Sequence, residues 1–472
     1  MKILNGLKSG ALLQRTEDGF CKCFFKAETD GILKTTLGNL QNKGSGEYLL
    51  CDIPVGGPYE FELSDNSDCV KLTVWVGDLW ILAGQSNMEG AGCVTDEVDK
   101  ETKNAIDPIR CYYLDARWDK AVPVTHEPWL SPDECIGGKW KKDRLGSLWG
   151  NDAPDKYGDK TVRLRAVGPG YYFAKKMYEI TNVPQAVIPC ASGGSSLNDW
   201  EKKEDKLYTV MIRRFKETGG FVRGIFWDQG EAEAYAGNDF TGRMKQFISD
   251  VRTDFNDEKL PFIQVQIAKC SIYNWFCDSP ESGIEWSRIK EEQRKLDYVI
   301  PYLRTVSAID ADFEDLIHYS SEFQKKMGIR AANAMANLIE AGGAEVPTLS
   351  GITYRKNDDY SPFRYIFDIE YNNVKNLTSL GIPSGFAVLP KDCDLKKVFS
   401  PSAGVQKIKL CGNTVSLYTE ITENPGEALI CYGFGHMAYC NITTDTGYSI
   451  PAMGPVSAAE VENADIKQRN EI

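Results

Sequence analysis

The amino-acid sequence predicts an α/β central domain with a parallel sheet, flanked by an N-terminal and a C-terminal all-β domain. Residues 77 to 342 repeat apolar strands followed by amphipathic helices, the pattern of a sheet covered by helices. Residues 1 to 76 and 343 to 457 alternate short β-type runs with glycine and proline, which is typical of all-β domains. We expect the acidic, polar residues 458 to 472 to form a flexible tail.

The two flanking domains are predicted from apolar runs separated by turn residues. In the N-terminal domain these runs lie at residues 19–25, 46–50 and 70–75, and their period of two favours a small β-sandwich. In the C-terminal domain the clearest runs lie at residues 385–389 and 428–432.

The central domain is predicted from apolar strand candidates at residues 186–190, 224–227 and 262–267. Residues 321 to 341 predict the helix that closes this domain. Ser321 and Gln324 have the spacing of a capping box, in which each residue satisfies an unpaired backbone N–H group of the first turn.

The charge and composition exclude several classes of partner. The net charge is −13, whereas nucleic acids and anionic membrane surfaces require clustered lysine and arginine. We therefore expect no nucleic acid and no membrane as partner. The N-terminal residues lack the apolar core of a signal peptide, so the expected location is cytoplasmic, with secretion open if the sequence is truncated. The sequence leaves the oligomeric state unknown.

Cysteine and histidine usage argues against a metal site. The 14 cysteines are scattered without a Cys-x-x-Cys pair, and only three histidines are present, none of them beside a cysteine pair. We expect reduced thiols, no metal and no cofactor.

The most informative motif is Gly-Gln-Ser-Asn-Met at residues 84–88, which follows the mostly apolar run at residues 79–83. A strand that ends in glycine and turns at once into a helix exposes the next hydroxyl at the C-terminal edge of the sheet. Backbone N–H groups point toward negative charge there. Ser86 is therefore the candidate nucleophile. Met88 stands where the Gly-x-Ser-x-Gly motif requires glycine, which favours another serine-hydrolase architecture.

A serine nucleophile requires a histidine to take its proton and a carboxylate to orient that histidine. His318 is the best candidate, because Asp315 stands three residues before it on a predicted tight turn. His126 lies in a proline-flanked loop and His436 in the C-terminal β region, so we expect structural or surface roles for both.

Two further segments can supply donors to the oxyanion of an ester intermediate, besides the backbone N–H of Ser86. A glycine turn at residues 191–195 follows one strand candidate, and its lack of side chains lets a backbone N–H approach substrate. Gln229 follows another strand candidate, and its amide can donate without carrying charge.

Four short blocks resemble the SGNH hydrolase superfamily and, within it, the sialate O-acetylesterase-like carbohydrate acetylesterases. They are Gly-Gln-Ser-Asn-Met at residues 84–88, Gly-Gly at 193–194, Trp-x-Gln-Gly-Glu at 227–231 and Asp-x-x-His at 315–318, in the order of the family. The resemblance implies a flavodoxin-like, three-layer central domain. It also implies a serine esterase that removes O-acetyl groups from a carbohydrate without metal or cofactor.

Carried over to this chain, the resemblance implies Ser86 as nucleophile, His318 as general base and acid, and Asp315 as its orienting partner. The Ser86 and Gly193 N–H groups and the Gln229 side chain would form the oxyanion hole. The choice between Gly193 and Gly194 stays open. For Asn87 and Glu231, a role in supporting the site and a purely structural role are equally expected. These assignments concern the following residues: Ser86, Asn87, Gly193, Gly194, Gln229, Glu231, Asp315 and His318.

Sialic acid is one sugar that fits this chemistry, and its carboxylate would need a cation from Arg163, Arg165 or Arg288. Acetylated xylan or another plant oligosaccharide is the alternative, and the acidity of the chain mildly favours such neutral substrates. The alternative from another functional class is a non-catalytic glycan-binding protein. That alternative predicts that Ser86, Asp315 or His318 is replaced, whereas all three are present. One or two tryptophans of the long segment between Ser86 and Gly168 can stack on a sugar ring; they are Trp118, Trp129, Trp140 and Trp149.

Overall fold

The computed structural model describes residues 1–141, 165–237, 239–270, 280–358, 363–397, 403–421 and 424–460. The chain divides into two compact units. The first holds Met1–Trp227, Gln246–Phe262 and His318–Gly343, and the second holds Asp228–Lys245, Ile263–Ile317 and Ala344–Ile472. Each helix within the described ranges is too short or too polar to cross a lipid bilayer.

The chain begins with eight strands. They are β1 (Lys2–Asn5), β2 (Leu12–Gln14), β3 (Phe20–Glu28), β4 (Lys34–Thr35), β5 (Asn39–Gly44), β6 (Glu47–Pro54), β7 (Gly56–Ser64) and β8 (Cys69–Gly84).

Helices and strands then alternate. In order they are α1 (Ser86–Glu89), β9 (Gly92–Cys93), α2 (Asp96–Lys103), β10 (Ile109–Tyr112), β11 (Trp118–Lys120), α3 (Glu134–Lys141), β12 (Arg165–Val167), α4 (Gly170–Thr181), β13 (Gln185–Pro189), α5 (Leu207–Glu217), β14 (Gly224–Asp228), α6 (Phe240–Asp254), β15 (Phe262–Gln266), α7 (Pro280–Val299), β16 (Leu303–Ser307) and α8 (Ser321–Leu338).

The described C-terminal residues form two short 3-10 turns, Leu395–Lys397 and Pro425–Glu427, and a third series of strands. The strands are β17 (Thr348–Lys356), β18 (Tyr365–Asn372), β19 (Leu377–Ser379), β20 (Phe386–Leu389), β21 (Val405–Cys411), β22 (Thr414–Thr419), β23 (Leu429–Tyr432), β24 (Ile442–Thr444) and β25 (Met453–Ser457).

The N-terminal strands form an antiparallel sheet in the order β1-β3-β6-β5. Side chains of β3 alternate between exposed and buried along all nine residues, as the period of two predicts. The buried face belongs to an apolar cluster that includes Phe25, Leu50, Leu63 and Val74.

Strand β8 is 16 residues long and serves two sheets in the first unit. In its first half Leu72 lies opposite Phe61 of antiparallel β7, and in its second half Trp80 lies opposite Val187 of parallel β13. The strand is continuous across residues 76 and 77, between which the sequence predicts a domain boundary. Its C-terminal end at Gly84 carries the chain directly into the predicted nucleophile turn.

In the first unit, the central sheet has the order β11-β10-β13-β8-β14, and β10, β13 and β8 run parallel. The mostly parallel central sheet and the additional antiparallel sheets confirm the predicted mixed α/β class. Strand β10 was not expected, because residues 87–167 read as an irregular loop. It is only four residues long and contains Arg110, whose guanidinium stacks over Trp75 at 4.3 Å, so its apolar pattern is interrupted.

Helix α8 starts as predicted but is capped by a different residue. Ser320, not Ser321, accepts the N–H of Phe323 at 3.1 Å through its hydroxyl, so the predicted capping box was wrong by one position. Consecutive serines make either residue a chemically suitable cap. The Ser321 hydroxyl donates to the carbonyl of Cys93, and the side-chain amide of Gln324 donates to the carbonyl of Asn87.

The second unit contains adjacent strands β15 and β16, helix α7 and three C-terminal antiparallel sheets. Buried Gln266 joins these parts, because its amide exchanges hydrogen bonds with the backbone of Ala452 at 2.8 and 2.9 Å. Lys290 of α7 is also buried and donates to the carbonyls of Gly433 and Gly435. Burial lowers the pKa of Lys290 to about 8.

Candidate active site

Ser86 lies where β8 turns into α1. Gly84 ends the strand with a φ of 132°, a backbone conformation that favours glycine. Ser86 is the first residue of the four-residue helix α1 and is 8% exposed. The N–H of a first helical residue has no intrahelical acceptor, so Ser86 can offer both its hydroxyl and its N–H to a ligand.

His318 and Ser86 are brought together although 232 residues separate them. The Nε2 atom of His318 lies 2.9 Å from Ser86 Oγ, which is hydrogen-bond distance. This is the reach that proton transfer from a hydroxyl to an imidazole requires. Both residues belong to the first unit.

Asn87 joins the nucleophile turn to the segment that carries His318. Its side-chain Oδ1 accepts the N–H of Tyr319 at 3.1 Å, and its backbone carbonyl accepts Nε2 of Gln324 at 3.0 Å. Asn87 is 1% exposed, so water does not compete for these bonds. The residue after Ser86 is thereby bonded to the residue after His318 and to helix α8.

The glycine turn at residues 192–195 lies against the same strand end. The Ser192 N–H and the Ser195 hydroxyl both donate to the carbonyl of Gly84, at 3.2 and 3.1 Å. A methyl group placed on Gly193 would stand 3.7 Å from Ser86 Cβ. The structure therefore places Gly193 beside Ser86.

Glu89 is a residue of this site that the sequence analysis missed. Its Oε2 atom accepts the backbone N–H of Gly193, and the residue is 6% exposed. A glutamate in the first helical turn reads as a solvated side chain, and no spacing rule connects it with a turn 104 residues away.

His126 binds the backbone of the residue that precedes the glycine turn. Its Nε2 accepts the N–H of Ala191 at 3.3 Å, and its Nδ1 lies 3.3 Å from Thr125 Oγ1. Burial lowers the pKa of His126 to about 3, with the positive charge of Arg214 as a second cause. The ring is therefore neutral at ordinary pH, and the expected structural role is consistent with these contacts.

The second unit holds the other predicted site residues. The Oδ1 atom of Asp315 accepts the N–H of Ile317 at 2.8 Å, which closes a tight turn. Gln229 is fully buried, and its amide donates to Glu233 Oε1 at 3.2 Å. Glu231 is 3% exposed at the start of a 3-10 segment, Glu231–Tyr235.

Asp228, which precedes Gln229, was not singled out from the sequence. It is fully buried, and its two carboxylate oxygens accept no hydrogen bond from the described part of the chain. Burial, and next the negative charge of Glu231, raise the pKa of Asp228 well above its usual range. The carboxyl therefore keeps its proton to a higher pH than an exposed aspartic acid does.

The candidate cations and tryptophans have varied surroundings. Arg288 pairs with Glu285 and Glu292 at 2.8 and 2.5 Å, and Nε of Arg165 donates to the Ala91 carbonyl at 3.3 Å.

Trp118 packs on Tyr112 with ring centroids 5.1 Å apart, which indicates a packing role. Trp129 lies in a short 3-10 turn, Pro128–Leu130. Arg163, Trp149 and the side chain of Trp140 lie outside the described part.

Comparison with known proteins decides the family. A family model described as carbohydrate esterase, sialic acid-specific acetylesterase, matches residues 76–337, more than half of the chain. The chain belongs to this family. The resemblance predicted from the four sequence blocks is thereby confirmed.

A curated relative and a solved structure resemble this carbohydrate esterase. A protein from Arabidopsis thaliana named "Probable carbohydrate esterase" is 29% identical over 272 residues, which cover 54% of this chain and 89% of the relative. A carbohydrate acetylesterase from Xanthomonas citri superposes with a TM-score of 0.69 over 96% of this chain and 99% of its own, at 18% identity. The second likeness shows a shared fold.

Family membership identifies this carbohydrate esterase as a carboxylic ester hydrolase of the acetylesterase class. The mixed α/β fold, with its mostly parallel central sheet, is shared with the Xanthomonas citri protein. The family match includes Ser86, Gly193 and His318.

Proposed function

We propose that this protein is a serine esterase that removes O-acetyl groups from a carbohydrate through an acetyl-serine intermediate. The observation that carries the proposal is the 2.9 Å hydrogen bond between Ser86 Oγ and His318 Nε2. A serine hydroxyl is a weak nucleophile, and an imidazole within hydrogen-bond reach activates it. A non-catalytic glycan-binding protein has no need for this pair.

In the first half-reaction, Ser86 Oγ bonds to the acetyl carbonyl carbon while His318 Nε2 takes the hydroxyl proton. The bond between that carbon and the sugar oxygen then breaks, and His318 gives the proton to the departing sugar hydroxyl. In the second half-reaction, His318 takes a proton from water as the water oxygen attacks the acetyl-serine. The bond between the carbonyl carbon and Ser86 Oγ then breaks, and His318 returns the proton to Ser86 Oγ. Acetic acid leaves and ionises to acetate in solution.

Four other groups complete the proposed machinery. Asp315 orients His318, an assignment supported by the Asp-x-x-His spacing at residues 315–318. The Ser86 N–H, one glycine N–H of the turn at residues 192–195 and the Gln229 amide stabilise the oxyanion. All three oxyanion donors are neutral. Their hydrogen bonds to the carbonyl oxygen strengthen as that oxygen gains negative charge.

O-acetylated sialic acid is the first substrate we propose, because the family description names sialic acid. An acetylated neutral chain such as xylan is the second candidate. It is favoured by the net charge of −13 and by the surroundings of Arg288, whose charge is balanced by two glutamates. A sialic acid carboxylate requires a cation that is not already neutralised.

The test is acetate release from acetylated sialic acids, acetylated xylo-oligosaccharides and an aryl acetate, each with wild type and Ser86→Ala. Release from one sugar class that disappears in the variant supports the esterase and selects the substrate. Turnover that persists in Ser86→Ala contradicts the serine mechanism. Activity lost with a chelator and restored by a metal ion contradicts the metal-free mechanism.

A further inference from the structure

Lys269 lies against two aromatic side chains of the second unit. Its Nζ atom is 5.3 Å from the ring centroid of Phe313 and 5.9 Å from that of Tyr439. Neither a carboxylate nor a hydrogen-bond acceptor binds this ammonium group among the residues that the structure describes. Two aromatic rings fix the position of a cation but do not neutralise its charge. The N–H donors of Lys269 can therefore bind a ligand.

The three side chains are accessible from solvent. Tyr439 is 56% exposed, and Lys269 and Phe313 are half-buried. The exposed part of an aromatic ring can pack on the apolar face of a sugar, while the ammonium group binds an anion. Arg288 offers no such anion site, because Glu285 and Glu292 already balance its charge.

Lys269 and Phe313 follow the carboxyl ends of two neighbouring strands. Lys269 comes after β15, which ends at Gln266, and Phe313 comes after β16, which ends at Ser307. These strand ends lie side by side, because the Ala308 N–H donates to the Gln266 carbonyl at 3.0 Å. In open α/β sheets, ligands bind outside the carboxyl ends of the strands.

Hydrogen bonds within the second unit connect this edge with Gln229, the proposed oxyanion donor. The side chain of buried Gln293 donates to the Gln229 carbonyl at 3.0 Å and accepts the Ile267 N–H at 2.9 Å. Ile267 stands two residues before Lys269 in the sequence. The segment that carries the lysine is therefore bonded to the segment that carries the proposed donor.

Phe313 belongs to the acidic segment at residues 310–315, which also carries Asp315, the proposed partner of His318. Four of these six residues are aspartate or glutamate. Such a segment repels an anionic sugar unless a cation compensates. The binding of an acidic sugar at this edge of the sheet therefore depends on Lys269.

We infer that Lys269, positioned by the rings of Phe313 and Tyr439, binds the carboxylate of an acidic sugar and thereby selects it over a neutral acetylated chain. This inference rests on the proposed serine esterase function and adds the residue that sets substrate choice. The sequence analysis sought this cation among arginines. Lys269 escaped notice because its two aromatic partners are distant in the sequence.

Two substrates that differ by one charge test the inference on wild-type protein. They are an O-acetylated sialic acid and the same sugar with its carboxyl group converted to a primary amide. We expect kcat/KM for acetate release to be about 10- to 100-fold higher for the carboxylate, since hydrogen bonds between charged groups are the stronger ones. Equal values for the two substrates would overturn the inference.

Three variants then assign the preference to one side chain. Lys269→Ala should remove the preference for the carboxylate over the amide. Lys269→Arg should keep most of it, because a guanidinium also binds a carboxylate. Lys245→Ala, which removes an exposed lysine from α6, should match wild type. A Lys269→Ala protein that keeps the wild-type preference would contradict the inference.

A further pair of substrates identifies the source of the carboxylate. Acetylated xylo-oligosaccharides with and without a methylglucuronic acid branch distinguish a uronic acid from sialic acid. A preference for either acidic sugar that disappears in Lys269→Ala supports the inference. Acetate release from neutral oligosaccharides alone would overturn it and leave the serine esterase intact. A wild-type protein that is inactive on every ester, an aryl acetate included, would instead contradict the proposed function.

Discussion

Asn87 Oδ1 accepts the backbone N–H of Tyr319 at 3.1 Å and thereby joins the residue after Ser86 to the residue after His318. Together with the bond from Gln324 to the Asn87 carbonyl, it fixes the segment that carries the proposed base relative to the nucleophile turn. A small displacement of either segment would lengthen the bond between Ser86 and His318.

Replacing Asn87 by alanine should reduce both stability and turnover. The buried Tyr319 N–H would lose the bond to Asn87 Oδ1, and the loss of a buried hydrogen bond costs about 1 to 3 kcal/mol in the free energy of unfolding. We expect kcat on an aryl acetate to fall by about 10- to 100-fold, because misplaced catalytic groups lose reactive geometry. Urea unfolding and steady-state kinetics measure both effects. An Asn87→Ala enzyme with wild-type kcat would contradict the positioning role.

His126 should make the protein less stable as the pH falls. Its folded pKa is about 3, below the ordinary value of 6.5, so the unfolded chain binds the proton more readily. Its stabilising contribution is complete above about pH 6.5 and declines toward pH 3. Between pH 6.5 and pH 5 the protonation of this residue should lower the free energy of unfolding by about 1.6 kcal/mol.

The matched variant is His126→Gln, whose amide oxygen can accept the Ala191 N–H without titrating. Urea unfolding at the two pH values should give a smaller loss for the variant than for wild type. Equal losses would show that His126 is not the residue responsible.

Asp228 should destabilise the protein as the pH rises. Its folded pKa is raised, chiefly by burial and next by Glu231, so the folded state binds the proton more tightly than the unfolded chain. The contribution of Asp228 to the free energy of unfolding is complete below the ordinary carboxyl pKa. It declines as the pH rises toward the raised pKa, by about 1.4 kcal/mol for each pH unit.

Asp228→Asn should therefore stabilise the protein more at pH 8 than at pH 5. Thermal unfolding at both values checks this expectation. A variant whose advantage over wild type does not grow with pH would contradict the raised pKa.

Gln229→Ala should lower kcat by about 100-fold with little change in KM, if its amide stabilises the oxyanion. Gln246→Ala, which removes an exposed glutamine from α6, is the matched control and should keep wild-type kinetics. An effect of Gln229→Ala confined to KM would indicate substrate binding instead.

The fold class was predictable because its strands are long or continuously apolar. Strands β13, β14 and β15 coincide with the predicted apolar runs within one or two residues. Strand β10 was not predictable, since Arg110 interrupts a run of only four residues and finds its apolar partner, Trp75, in tertiary structure.

The candidate site was predictable only where chemistry is attached to a motif. Ser86 and His318 lie in short blocks with recognisable spacing, and they lie together in the structure. Glu89 was missed because it accepts a backbone N–H that is distant in the sequence. A structural or surface role was expected for His126, but its bond to the Ala191 N–H could not be predicted for the same reason. No pattern of side chains reports which backbone groups a folded turn leaves unpaired.

The most direct test of the central claim is whether an acetyl group becomes attached to Ser86. Wild-type protein mixed with an aryl acetate and quenched in acid within one turnover is digested and analysed by mass spectrometry, with Ser86→Ala as control. The proposed mechanism predicts an acetyl group on the Ser86 peptide of wild type and none in the variant, which also fails to release acetate. Acetate release by Ser86→Ala at the wild-type rate, or acetylation confined to another residue, would contradict it.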